Sequence, residues 1–208
     1  MTLPIRAILF DADGVIHRAP PFADRLFSAF GCPINAVDEC ISDIFAVERA
    51  ALIGDGDYAV ALKPILDKWA PGMSPIAFFE HWHTFGIDQR VLDLVQKLRH
   101  SGIYCALASN QERHRAKRMS EQLGYADAFD AEFYSCHVGH AKPSARFFEI
   151  ILERTRLDPA ATLFIDDLAE NVAAAQSVGI HAIQFELPLS GSGATSLIGI
   201  LENLGIPT

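Results

Sequence analysis

Four short polar clusters carry the residue types that do chemistry in this chain of 208 residues: Asp11 and Asp13 with Gly14 in FDADGVI, Ser109-Asn110, Lys142 within GHAKP, and Asp166-Asp167 with Asn171. Each follows an apolar run of strand length or lies shortly beyond one. Each also has a plain structural alternative. Asp and Gly suit a turn, Ser109 suits a helix cap, a lone lysine is commonly solvated, and an acidic pair is favoured at a helix start by the dipole. The set as a whole offers more than its parts. It supplies two acidic pairs, a hydroxyl and a fixed positive charge, and acids that converge repel one another unless a hard divalent cation lies between them.

For the clusters to meet, strands must bring their ends to one edge. From about residue 88 onward, short apolar runs alternate with amphipathic stretches, the pattern of a parallel sheet covered by helices. The runs predict strands at Ile103 to Ala108, Ala131 to Ser135, Thr162 to Ile165 and His181 to Phe185. Helices are expected at Val91 to His100, Glu112 to Leu123, Ala145 to Arg154 and Ala169 to Val178. Ile5 to Phe10 joins the set as a first strand, because a parallel strand buried on both faces is continuously apolar. The expectation is an α/β fold built on a doubly wound, Rossmann-like parallel sheet. In such a sheet ligands bind beyond the carboxyl ends of the strands, where all four clusters fall.

Residues 16–88 break the alternation with helical spacing and no strand-like run, which predicts an inserted small α-helical cap, leaving 1–15 and 89–208 as the catalytic core. Phe22, Leu26, Phe27 and Phe30 share one helix face; Val37, Ile41, Ile44 and Phe45 share another. A third helix, Asp57 to Trp69, contains Pro64, which should kink or divide it. Ser74-Pro75 reads as a cap followed by proline at the first helical position, opening a helix through Phe78, Phe79 and Trp82. The aromatic faces read as cap core. Gly54-Asp55-Gly56-Asp57 reads as a turn and helix cap, since no further Ca²⁺ ligand series follows. Ser190 to Gly193 reads as a loop before a last amphipathic helix.

Bulk properties narrow the partners. Half of the residues are hydrophobic, enough for a real core, and 17 basic against 26 acidic residues give a net charge of −9. No Lys/Arg cluster marks a phosphate-backbone footprint, so nucleic acid is not an expected partner. No apolar run is long enough to span a membrane. Cys32, Cys40, Cys105 and Cys136 form no C-x-x-C pair and read as reduced thiols, which fits a cytoplasmic protein. A monomer or a homodimer is expected.

The order and spacing of the four clusters resemble the haloacid dehalogenase superfamily of hydrolases, with a helical cap inserted after the first motif. The D-x-D-G-[TV] motif matches Asp11 to Val15, and the strand-ending Ser or Thr matches Ser109. G-x-x-K-P-x-P matches Gly139 to Pro143, with Ala145 in place of the second proline. The acidic pair with Asp or Asn four residues later matches Asp166, Asp167 and Asn171, and Leu123-Gly124 and Phe129-Asp130 are similar too.

The resemblance implies a phosphatase acting on a small phosphorylated metabolite. Asp11 is then the nucleophile that forms an aspartyl-phosphate, and Asp13 protonates the leaving alcohol and later deprotonates water. Mg²⁺ is the implied cofactor, held by the side chains of Asp11, Asp167 and Asp166 and by the Asp13 backbone carbonyl. Lys142, Ser109 and the Asn110 backbone would bind phosphate oxygens, Gly14 would allow the tight turn, and Asn171 would lie on one helix face with Asp167. A dehalogenase, a sugar phosphomutase and a non-catalytic phosphate-binding regulator are the alternatives. Among cap residues, Arg18, Arg49, Lys63 and the His81-Trp82-His83 cluster are placed to meet a substrate or, more simply, to form surface and packing.

Overall fold

The computed structural model describes residues 4–21, 24, 34–188 and 193–208. Five parallel strands form the sheet: β1 (Ala7–Phe10), β4 (Tyr104–Ser109), β5 (Ala131–Tyr134), β6 (Thr162–Asp166) and β7 (His181–Gln184). Their spatial order is β5-β4-β1-β6-β7. The chain therefore builds outward from β1 on one side through β4 and β5, then returns to build β6 and β7 on the other. The reversal beside β1 opens a crevice at its carboxyl end. Register aligns the ends, with Phe10 level with Leu107 on one neighbour and Ile165 on the other.

Alternation along the strands divides the core into two layers, since successive side chains leave opposite faces. Ile8, Phe10, Cys105, Leu107, Leu163 and Ile165 pack in one cluster; Leu9, Ala106, Ala108 and Phe164 pack in the other. The first layer is covered by Val91, Val95 and Leu98 of Gln89–His100 and by Leu197 and Leu201 of Gly193–Asn203. Phe147, Phe148 and Ile151 of Ala145–Thr155 and Ala175 of Ala169–Ser177 cover the second. This is the doubly wound α/β arrangement.

Among the described residues, 34–88 hold three α-helices: α1 (Val37–Leu52), α2 (Tyr58–Trp69) and α3 (Pro75–Trp82). They share a separate apolar cluster of Cys40, Ile44, Tyr58, Leu62, Leu66, Phe78, Phe79 and Trp82. Asp57 caps α2 by accepting from Ala59 N at 2.8 Å, and Ser74 Oγ caps α3 by accepting from Ala77 N at 3.1 Å. Pro64 does not divide α2, which runs on through it. Pro64 and Val60, the residue whose carbonyl loses a helical donor to the proline, are both exposed, so that loss falls where water is at hand.

Other elements differ from expectation at their edges. The insertion holds two short strands, β2 (His17–Arg18) and β3 (Gly86–Ile87), paired antiparallel with His17 opposite Ile87. Two residues are too few to leave an alternation. The stretch expected as one helix from Glu112 is α-helical over Arg113–Lys117 and then widens into a π turn over Arg118–Gln122, closed by Leu123 N donating to Arg118 O. Gly193 belongs to the last helix, not to the loop before it. The expected helix face of Phe22, Leu26, Phe27 and Phe30 lies outside the described residues, as do Cys32 and Ser190. No helix among the described residues is long and apolar enough to cross a membrane.

Candidate active site

The ladder of β1 continues one residue past Phe10, with Asp11 N donating to Ile165 O over 2.9 Å. The backbone of Asp11 is thereby fixed at the strand end, and its buried carboxylate meets Lys142 Nζ at 2.8 Å. Beyond it the chain turns sharply. Ile16 N and His17 N both donate to Ala12 O, at 2.9 and 3.1 Å, and Gly14 adopts φ 73°. Glycine is needed there for two reasons: the left-handed backbone disfavours a side chain, and a Cβ would lie 2.7 Å from Asp167 Cγ.

Asp166 ends β6 fully buried, with both oxygens occupied. Oδ2 accepts from Lys142 Nζ at 2.6 Å; Oδ1 accepts from Leu168 N and Asn171 Nδ2, each at 2.9 Å. Asp167 precedes the helix that opens at Ala169, so the shared helix face expected for Asp167 and Asn171 does not form. Asn171 orients Asp166 instead. One oxygen from each of Asp11, Asp166 and Asp167 lies within 4.8 Å of the others. The Asp13 side chain is not in this group. An all-oxygen donor set of this kind fits a hard divalent cation.

Electrostatics point the same way. Burial pushes the Asp11 carboxyl up to about 6, with Asp166 and Asp13 adding to the rise against the pull of Lys142. Burial, then Asp166, raises Asp167 to about 6 as well. Lys142 would lose affinity for its proton through burial, but Asp11 and Asp166 outweigh that and raise it above the ordinary lysine value. Positive charge placed between the acids relieves their repulsion.

Asp13 is held apart from them. Burial would raise its carboxyl, yet Arg115 and His17 outweigh burial and keep it well below the usual carboxylate range. Arg115 Nη2 donates to Oδ1 at 2.6 Å, His17 Nε2 lies 3.1 Å from the same oxygen, and Gln111 Nε2 donates to Oδ2 at 2.8 Å. His17 is buried, meets the Tyr125 hydroxyl at 2.8 Å and stacks on Phe85.

Ser109, at the end of β4, accepts at Oγ from Gln111 Nε2 over 3.0 Å, which leaves its own hydrogen to be donated elsewhere. The Asn110 side chain is committed to the neighbouring loop: Nδ2 donates to Lys142 O and Oδ1 accepts from Lys142 N, both at 2.8 Å. That pairing sets the lysine beside the acids.

Asp11, Asp13, Gly14, Ser109, Asn110, Lys142, Asp167 and Asn171 line one cavity of about 520 Å³, with Asp166 buried beneath it. Of the cap residues singled out, Arg18 and Trp82 also line it. Arg49 and His81 are exposed, Lys63 pairs with Asp67 on the surface, and His83 is buried 3.2 Å from Glu112. Sequence reasoning missed Gln111, Arg115, His17, Phe45 and Glu48. Arg115 stands in the basic run Arg113-His114-Arg115, where nothing marks one member as turned inward.

A family model for haloacid dehalogenase-like hydrolases matches residues 5–179. The sesquiterpene phosphatase astK of Aspergillus oryzae is 33% identical over 185 residues, covering 86% of this chain and 89% of that protein. Acyl-CoA dehydrogenase family member 10 of Mus musculus is 38% identical over 80 residues, which are 38% of this chain and only 8% of that protein. Among solved structures, the HAD family enzyme bt-2542 of Bacteroides thetaiotaomicron, in complex with magnesium and inorganic phosphate, aligns with a TM-score of 0.77 at 22% identity, over 90% of this chain and 98% of that one. At that identity the likeness is one of fold.

Proposed function

The chain belongs to the haloacid dehalogenase-like hydrolase family, and from that premise we propose that it is a Mg²⁺-dependent phosphatase acting on a small phosphorylated metabolite through an aspartyl-phosphate on Asp11. The observation that carries this reading is the cluster of Asp11, Asp166 and Asp167 oxygens with the Lys142 ammonium against two of them. A seat for a cation beside a seat for an anion is what such a reaction needs. A relative of nearly the same length is named a phosphatase, and a structural neighbour holds magnesium and phosphate.

Asp11 attacks phosphorus from the end of β1, its position set by the bond to Ile165 O. Lys142 spends two of its three N–H groups on Asp11 and Asp166 and turns the third to a phosphoryl oxygen. Ser109 and the Asn110 backbone donate to the others. Asp13, carrying a proton brought by the phosphate monoanion, gives it to the leaving alcohol oxygen as the P–O bond breaks; the carboxylate that results, the form its low proton affinity at rest favours, then takes a proton from the attacking water. The side chains of Asp11, Asp166 and Asp167 and the Asp13 carbonyl would hold Mg²⁺, which would supply charge neutralisation for the phosphate.

Asp11→Asn tests the reading. With Mg²⁺ and an aryl phosphate, the wild type releases phosphate and the variant falls to background; retention of wild-type release by the variant overturns the assignment. Halide release from a 2-halo acid, without aryl phosphate turnover, would favour the dehalogenase reading.

A further inference from the structure

The cavity that holds the phosphate machinery has walls the chemistry does not use. Pro20 and Pro21 follow β2, Phe45 projects from α1, Trp82 ends α3 and Leu168 follows Asp167; all five line the cavity, and all but the tryptophan have side chains of carbon and hydrogen alone. Leu168 is 49% exposed, a large apolar side chain left out of the core at the cavity wall. Ligand cavities of roughly 300–1,000 Å³ enclose most of a drug-sized molecule, and this one, at about 520 Å³, has room beyond the phosphate.

Among the described residues, the polar side chains on the same walls already have protein partners. Arg18 donates from Nη1 and Nη2 to Glu186, each at 3.2 Å, and also to Leu187 O. Arg115 is held by Asp13, and Glu48 acts on Arg115 electrostatically. The Nε atoms of both arginines lack a hydrogen-bond partner, but they are sealed from solvent and out of a ligand's reach. A leaving group rich in hydroxyls would surrender its water against carbon and find few groups able to replace it. An alkyl or aryl leaving group gives up nothing of the kind.

We propose that the leaving group of the substrate is apolar: the enzyme hydrolyses monophosphate esters of hydrocarbon-like alcohols in preference to those of sugars and polyols. The inference rests on the phosphatase reading and specifies its substrate class. The walls formed by Phe45, Trp82 and Leu168 bind the carbon chain while the acidic and cationic groups handle the phosphoryl group.

The test is the wild-type protein with Mg²⁺ and n-alkyl monophosphates from ethyl to octyl, beside ribitol 5-phosphate and an aryl phosphate. Each methylene that enters the walls should raise kcat/KM by roughly twofold to fourfold. Octyl phosphate should exceed ribitol 5-phosphate by about a hundredfold or more, since each unpartnered hydroxyl costs roughly tenfold. Phe45→Ala should flatten the dependence on chain length. Without any variant, 1-octanol should inhibit competitively where ribitol does not. A flat series, or a polyol ester hydrolysed as well as octyl phosphate, overturns the proposal while aryl phosphate turnover leaves the phosphatase reading standing. If aryl phosphate is not hydrolysed either, both fall.

Discussion

Arg115 Nη2 donates to Asp13 Oδ1 over 2.6 Å, joining residues 102 positions apart in the chain. The ion pair ties the first helix after β4 to the turn after β1. It also decides the protonation of Asp13, because the guanidinium and His17 together outweigh the burial that would otherwise raise it.

Arg115→Ala should therefore lower kcat on an aryl phosphate by about 10- to 100-fold, less than the roughly 10²- to 10⁴-fold of a proton-transferring group itself, because Arg115 acts through Asp13. Removing the positive charge raises the Asp13 carboxyl, so the acidic limb of the pH–rate profile should move to higher pH. Arg115→Lys keeps the charge but not the planar geometry and should recover part of the rate. Steady-state kinetics across pH on the three proteins checks this; an unmoved acidic limb in the alanine variant counts against it.

Gly14→Ala should damage the site from the backbone. The new methyl would meet the Asp167 carboxyl, and the left-handed φ adds strain of about 1–3 kcal/mol. Expected are a lower unfolding midpoint and weaker Mg²⁺ binding together. Calorimetric titration and thermal unfolding read the two effects separately.

Mg²⁺ should stabilise the protein at pH 7.5 and much less at pH 5. The folded-state values of Asp11 and Asp167 stand at about 6, above the ordinary 3.8. Between those limits the metal-free folded site holds more protons than the unfolded chain, so stability is lost as pH rises through 6. A cation requires the acids ionised and restores that stability above pH 6, while protons displace it below. The difference in unfolding temperature with and without Mg²⁺ isolates this from other titrating groups, such as His83, whose proton affinity burial lowers. An equal shift at both pH values would contradict the assignment.

Asn171→Ala should weaken Mg²⁺ binding by about tenfold or more, the usual effect of losing a group that orients a ligand. It frees Asp166 Oδ1 from a 2.9 Å bond while Leu168 N still holds that oxygen, so the fold should survive. Isothermal titration at pH 7.5 measures the loss.

The sheet was legible because buried parallel strands are continuous apolar runs and their helices keep a 3.6-residue period, as in Val91, Leu94, Val95 and Leu98. The acids were legible because each stands at or just beyond a strand end, and parallel strands carry those ends to one edge; Lys142, set beyond the short helix Ser135–Val138, was legible only from its place in the GHAKP run. Arg115, Gln111 and His17 were not, since their roles depend on which way a side chain turns after a loop or within a basic run. Phe45 and Trp82 read as apolar packing residues, and Phe45 packs against the cluster of α1 to α3 that holds Trp82; periodicity reports which face is apolar but not whether its margin also meets a cavity. β2 and β3 escaped because a pair of two-residue strands leaves no periodic trace.

The amide of Asn110 grips the Lys142 peptide at both its N–H and its C=O, so the segments bearing the serine and the lysine are fastened together as one unit. A single amide thus braces two stretches of chain that are 32 positions apart in sequence, so Asn110→Ala should loosen the loop that carries the lysine without touching the acids themselves.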